Sequence, residues 1–188
     1  MRMAQPFIRA GLLALATAAA CPAAADPQLA SIPSAGDVLS EVAASPGAAM
    51  SRAAITAIIE REAKRLGVPA EIAEAVTHTE SGFNQHAIGA DGEIGLMQIL
   101  PSTARMLGFS GSLTALAEPS TNIRYGVAYL AQAWKRANGD LCTAVMKYRA
   151  GHNETRFSHL SVDYCLKVRA RLQTRGFAVM GTVTVATF

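Results

Sequence analysis

Apolar positions in this chain recur at spacings of three and four residues over most of its length, the period of a helix with one buried face. Ile55, Ile58, Ile59, Ala63 and Leu66 follow Ser51, a hydroxyl residue suited to cap a helix start, and Gly67 ends the run. Pro69 opens a second helix with Ile72 and Val76 on its buried stripe, and the next position on that stripe is Glu80. Pro101-Ser102 starts a short helix that stops near Gly108. A longer helix runs from about Ser120 to Ala137, with Ile123, Val127, Leu130 and Trp134 along one side. Asp140 can cap the next, in which Leu141, Val145 and Tyr148 share a face, and a last helix spans roughly Ser158 to Thr174. Gly82, Gly89, Gly92 and Gly95 break the pattern over residues 81–100, which reads as an irregular loop. The alternation of Val183 and Val185 is compatible with an edge strand in a tail of residues 176–188. With little other strand signal and no internal repeat, the class is mainly α.

The first 25 residues are of another kind. Arg2 and Arg9 give a basic start, Ala10–Ala20 is a short apolar run, and Ala23-Ala24-Ala25 suits a cleavage site, so residues 1–25 read as a secretory signal peptide. The run is too short for a stable membrane insertion. A lipid-bearing Cys21 is the less favoured reading, because Ala18-Ala19-Ala20 lacks the leucine such sites usually show. Residues 26–50, rich in Ala, Ser, Pro and Gly, read as a linker or loosely ordered arm before a domain at 51–175. The expected location is periplasmic or secreted. Cleavage would leave Cys142 and Cys165, an even pair that in an exported domain reads as a disulfide.

Formal charge changes the picture only locally. The net value is +3, yet residues 26–123 hold 5 Lys/Arg against 11 Asp/Glu, while residues 124–188 hold 10 against 3. A basic half can attract an anionic polymer or simply decorate solvated helix faces. Nothing in the chain matches a nucleic-acid module, and no phosphate-cradling Gly-rich fingerprint occurs. His78, Glu80 and His152 lack the His-Glu-x-x-His spacing of a zinc helix, so no metal or cofactor is expected.

The chemistry gathers at residues 80–104. A carboxylate on the inward face of an apolar helix, in its last turn, loses water and faces the negative end of the helix dipole. Both effects favour its neutral form. A lone Glu at a helix end ordinarily bends into solvent, but Glu80 is followed by Ser81-Gly82-Phe83-Asn84, then by Gly95-Leu96-Met97-Gln98-Ile99 and Pro101-Ser102-Thr103-Ala104. Together with Asn122, Ile123, Gly126, Tyr129, Leu130 and Tyr148, these residues resemble the catalytic core of family 1 (Slt-type) lytic transglycosylases, which cleave the glycan strands of bacterial peptidoglycan.

The resemblance covers roughly Ala53 to Leu172 and implies a lysozyme-like (goose-type/Slt-type) helical domain with a Gly-rich cleft loop. It implies that Glu80 donates a proton to the departing sugar oxygen. Glu80 would then remove one from the C6 hydroxyl of N-acetylmuramic acid, leaving a 1,6-anhydromuramyl end with no water consumed. Ser81 would support the carboxyl or the next turn. Gly95 would let backbone approach sugar, Met97 would offer an apolar wall, and Gln98 would bond an N-acetyl group. The Tyr148 hydroxyl would approach Glu80. The match weakens around Tyr148, where Lys147 and Arg149 replace the Ala and Asn of the family's motif.

Two rivals stay open. Asp91 or Glu93, if either faced the cleft, would supply the second carboxylate of a water-using muramidase, although both are expected to be solvated loop charges. A wall-binding or scaffold module with vestigial cleavage, serving an envelope-spanning secretion or flagellar machine, is the reading that Lys147 and Arg149 keep alive.

Overall fold

The computed structural model describes residues 49–179. The expected signal peptide, Cys21, nearly all of the expected arm at 26–50, and Val183 and Val185 therefore lie outside the described residues. Among the described residues seven helices follow in order: α1 (Arg52–Leu66), α2 (Ala70–Ser81), α3 (Pro101–Met106), α4 (Leu113–Ala117), α5 (Pro119–Arg136), α6 (Leu141–Ala150) and α7 (His159–Thr174). The class is mainly α, as the periodicity predicts.

Local chemistry sets the helix limits. The Ser51 hydroxyl accepts the Ala54 N–H at 3.2 Å and starts α1, and Gly67 closes it. Asp140 Oδ1 does the same for α6 through Thr143 N–H at 2.8 Å. Prolines at the start of α3 and α5 remove an N–H that would have had no helical partner. The short helix α4 is absent from the sequence reading. It has five residues, capped by Ser112, and one buried side chain, Leu116, so no period can show itself.

Packing joins α1 to α2 and α5, α5 to α6, α6 to α7, and α7 back to α2. Ile55, Ile59, Val76, Leu96, Met97, Ile123, Val127, Leu130, Val145 and Val168 form the fully buried centre. Each such side chain contributes about 1.5–3 kcal/mol by leaving water. A smaller cluster of Ile94, Ile99, Ala104 and Leu116, flanked by Phe109 and Tyr125, lies under the loop that precedes α3. Nearly buried Glu74 on α2 is neutralised by Arg52 at 3.7 Å and by Arg175, which ties the ends of α1 and α7 to α2. Among the described residues no helix is long and apolar enough to cross a membrane.

Cys142 and Cys165 form a disulfide, with Cα atoms 5.3 Å apart, joining α6 to α7. Cys165 is fully buried beside Tyr164, so the bridge fixes the register of α7 at that point. Replacing both cysteines by Ser should lower the unfolding free energy by about 3 kcal/mol. Denaturant melts of the two forms, or of the native protein with and without reductant, check this; overlapping curves would show that the bridge does not stabilise the domain.

Candidate active site

Glu80 lies in the last turn of α2. Gly82 follows in the left-handed conformation (φ 61°) and returns its N–H to His78 O at 2.9 Å. Phe83 is left-handed too (φ 70°), so the chain turns sharply immediately after the carboxylate. That turn is held by the Ser81 hydroxyl, which accepts the Phe83 N–H at 3.1 Å, and by Arg52 stacked 3.4 Å over the Phe83 ring.

The following loop is more ordered than the glycines alone suggest. Ile94 makes antiparallel bridges to both Ile88 and Ile99, and Gly95 N–H bonds Ala87 O at 2.8 Å. This folds residues 87–99 into a small tongue whose inner edge, 94–97, is buried. Asn122 on α5 holds that edge. It is fully buried, accepts the Met97 N–H at 2.9 Å, and donates to Ile94 O at 2.7 Å and Leu116 O at 3.1 Å. Gly95 (φ 73°) presses on it so closely that a Cβ would sit 2.7 Å from Asn122 Nδ2.

The motif residues come together here, but not in the expected postures. Ser81 donates to Leu96 O at 2.8 Å and so pins the tongue to α2 instead of bonding the carboxyl. Met97 is fully buried against Gly126, where an added Cβ would meet its sulfur at 2.6 Å; it belongs to the core and is not a wall of a cleft. The bareness of Gly95 accommodates Asn122 and not a sugar. Gln98 (φ 44°) donates both amide hydrogens inside the tongue, to Ala87 O at 3.1 Å and Gly95 O at 2.9 Å, which leaves its carbonyl oxygen for a ligand. Buried Tyr148 donates its hydroxyl hydrogen to Met97 O at 2.7 Å, so that hydrogen holds the tongue, while the phenol stays near enough to Glu80 to feel its charge.

The phenol that contacts the carboxylate is Tyr164, whose hydroxyl donates to Glu80 Oε1 at 2.6 Å. Sequence reasoning passed over Tyr164. Its signal is present: it shares a buried stripe with Ser161, Cys165, Val168 and Leu172, and a buried Tyr needs a partner for its hydroxyl.

Electrostatics at Glu80 favour the neutral acid. Burial raises its pKa from 4.5 to about 7, and the negative charge of Glu93 adds to the rise. The Tyr164 hydrogen bond and the positive charge of Arg149 oppose it. Burial also pushes the Tyr148 and Tyr164 phenols well above their usual value, with the Glu80 charge adding to both, so both remain protonated donors.

Glu93 and Arg149 face a groove of about 210 Å³, together with Gln98, Thr103, Tyr129 and Tyr148. Tyr129 meets Tyr148 edge-on at 5.4 Å and is stacked by His152 at 3.9 Å, an aromatic side suited to the apolar face of a sugar. Asp91 is exposed, as expected of a loop charge, whereas Glu93 lines the groove, which the sequence did not predict. Lys147 reaches His152 O and Glu154 O and braces the turn after α6. Among the described residues no three His, Cys, Asp or Glu side chains gather as a metal site requires.

Residues 57–163, more than half of the chain, match the transglycosylase SLT domain. The chain belongs to this family. It is 36% identical over 93 residues to a transglycosylase of Enterobacteria phage PRD1, covering 50% of this chain and 33% of the relative. To membrane-bound lytic murein transglycosylase C of Histophilus somni (strain 2336) it is 40% identical over 80 residues, covering 39% of this chain and 22% of that one. Among solved structures, an inactive mutant of lytic transglycosylase Slt from Pseudomonas aeruginosa superposes with a TM-score of 0.55 at 28% identity, covering 64% of this chain and 24% of the other. The SLT domain chain thus spans a third or less of these relatives' own lengths.

The balance at Glu80 is measurable. Selective ¹³C labelling should show the Glu80 carboxyl titrating near pH 7. Both Tyr164→Phe and Arg149→Gln remove an influence that favours the charged form, so both should move the midpoint upward, Tyr164→Phe by about one pH unit. A wild-type midpoint near 4.5, the ordinary value, would show that the site does not hold its proton.

Proposed function

We propose that this SLT domain is a peptidoglycan lytic transglycosylase, cleaving the β-1,4 bond between N-acetylmuramic acid and N-acetylglucosamine to leave 1,6-anhydromuramyl ends. The observation that carries the reading is a half-buried carboxyl with a pKa near 7, hydrogen-bonded to a phenol beside a groove with an aromatic side. Such an acid is protonated in part at neutral pH and can give its hydrogen to the leaving oxygen. Once ionised, it is stabilised by the Tyr164 hydroxyl and Arg149, and it can then take the proton of the C6 hydroxyl as that oxygen closes on the anomeric carbon. Bonds balance: the glycosidic C–O bond breaks, the anhydro C–O bond forms, and the proton on Glu80 is restored.

In this reading Glu80 is the acid and base. Tyr164 touches and tunes it, Ser81, Gly95 and Tyr148 position the tongue, and Gln98 offers its carbonyl to an N-acetyl N–H. Peptidoglycan glycan strands are the partner. The murein transglycosylases among its relatives and the expected leader support a location at the cell wall, periplasmic or secreted. Clearing wall for an envelope-spanning machine is compatible with the small domain.

One observation favours a second reading. Glu93 lines the same groove, and a second carboxylate there can activate water, giving a muramidase.

Products decide between them. Purified protein acting on sacculi should release muropeptides lighter by one water than muramidase products in mass spectra, and Glu80→Gln should lower the rate about 10²–10⁴-fold. Reducing ends that disappear in Glu93→Gln would establish hydrolysis instead, and identical release by wild type and Glu80→Gln would leave a scaffold role. Since the first step needs the proton on Glu80, kcat/KM should fall as pH rises through about 7. Arg149→Gln should carry that limb to higher pH. A limb unchanged in Arg149→Gln would remove Arg149 from the electrostatics of the site.

A further inference from the structure

A second concavity, of about 490 Å³, lies between α2 and α7 and is lined by His78, Thr79, Lys167, Ala170, Arg171 and Thr174. It is the more open of the two and has no acidic residue in its lining. Arg171 Nε is buried there, and among the described residues it donates to nothing. A buried cationic donor left in that state is costly, so the position favours an anion that can accept from it. The neighbouring carboxylate, Glu74, is already engaged by Arg52 and Arg175. The uncompensated charge registers on its surroundings. Burial lowers the pKa of His78 and of Arg52, and the positive charge of Arg171 lowers both further.

Its location is informative. Thr79 immediately precedes Glu80, and Lys167 lies one helical turn beyond Tyr164 on α7, roughly 5 Å along the axis. Since Glu80 and Tyr164 touch, the cationic pocket begins beside the reacting carboxyl, on a side of α2 whose residues are not shared with the sugar groove. In the proposed substrate the muramic acid next to the cleaved bond carries a peptide stem on its lactyl group, and that stem bears free carboxylates. Four extended stem residues span about 13 Å, a little over twice one helical turn.

We propose that this pocket is a subsite for a carboxylate of the peptide stem, with Lys167 and Arg171 as its cationic contacts. The assignment rests on the reading of the protein as a peptidoglycan-cleaving enzyme. It adds that stem-bearing glycan is preferred over bare glycan and that the preference resides outside the sugar groove.

The test compares glycan strands that carry stems with strands stripped of them by an amidase, using the full chain. For Lys167→Ala and Arg171→Gln, the ratio of kcat/KM on stem-bearing to stripped strands should fall about tenfold, through KM, as the loss of one charge-assisted contact implies. Lys167 is exposed, so its variant keeps the question answerable if Arg171→Gln fails to fold. An unchanged ratio in folded Lys167→Ala, or equal losses on both substrates, overturns the subsite.

A binding measurement separates this outcome from failure of the enzymatic reading. Isolated stem tetrapeptide, added to the labelled protein, should shift the Thr79 and Lys167 amides whether or not any glycan is cleaved. Inorganic phosphate shifting the same amides at equal or lower concentration would mark a general anion site and overturn the assignment to the stem.

Discussion

A stretch of non-helical backbone sits inside this domain, and everything at the site depends on satisfying its hydrogen bonds. Residues 94–97 are buried and belong to no helix, so their N–H and C=O groups need partners other than water. Three polar side chains supply them from three helices: Ser81 of α2 to Leu96 O, Asn122 of α5 to Ile94 O and Met97 N, and Tyr148 of α6 to Met97 O. Each group left unpaired would cost about 1–3 kcal/mol, so removing any one member exposes a real penalty in the others' absence. The tongue therefore takes one position, and it closes over the end of α2. Glu80 immediately precedes Ser81, the residue through which the tongue is pinned to α2.

Within this frame the carboxyl is held in a contest of opposed influences. Burial dominates and favours the proton, with Glu93 on the same side; the Tyr164 hydroxyl and Arg149 favour the charge. A site with burial alone would hold an acid too weak to ionise, and one with only the phenol and the guanidinium would hold a carboxylate with nothing to donate. The proposed chemistry uses the group in both states in turn, so a midpoint near neutrality is the useful compromise. The phenol also suits both states, because a tyrosine hydroxyl can donate to the carboxylate or accept from the acid.

Much of this was legible from residue order, and the misses have physical causes. Helix limits could be read wherever a cap or a Pro marks them, as at Ser51, Gly67, Pro101 and Asp140, because those signals act through neighbours in sequence. Glu80 could be read because it continues a buried stripe. What failed was the direction in which motif residues act. Met97 and Gly95 were assigned toward the ligand, yet both face inward, and only the tertiary closure of α5 on the tongue reveals it. Tyr164 lies 84 residues from its partner, a pairing no local pattern encodes. Glu93 was expected in solvent because the chain does not show that the tongue folds back and carries it to the groove.

The two departures from the family's tyrosine motif can now be separated by what they touch. Lys147 points along the chain to the turn after α6, where its ammonium donates to two carbonyls, so it acts on the backbone. Arg149 is exposed on the groove, its guanidinium lies 6.0 Å from the Tyr164 ring, and its charge reaches Glu80. An Asn at this place would carry no charge. An Arg adds a fixed positive field opposite Glu93, so the groove carries one charge of each sign beside the acid. Arg149 lowers the proton affinity of Glu80 relative to burial alone and favours the ionised state that the second half of the proposed reaction needs. In that proposal the departure shifts the balance between the two halves without removing either, which argues against reading it as decay of the site.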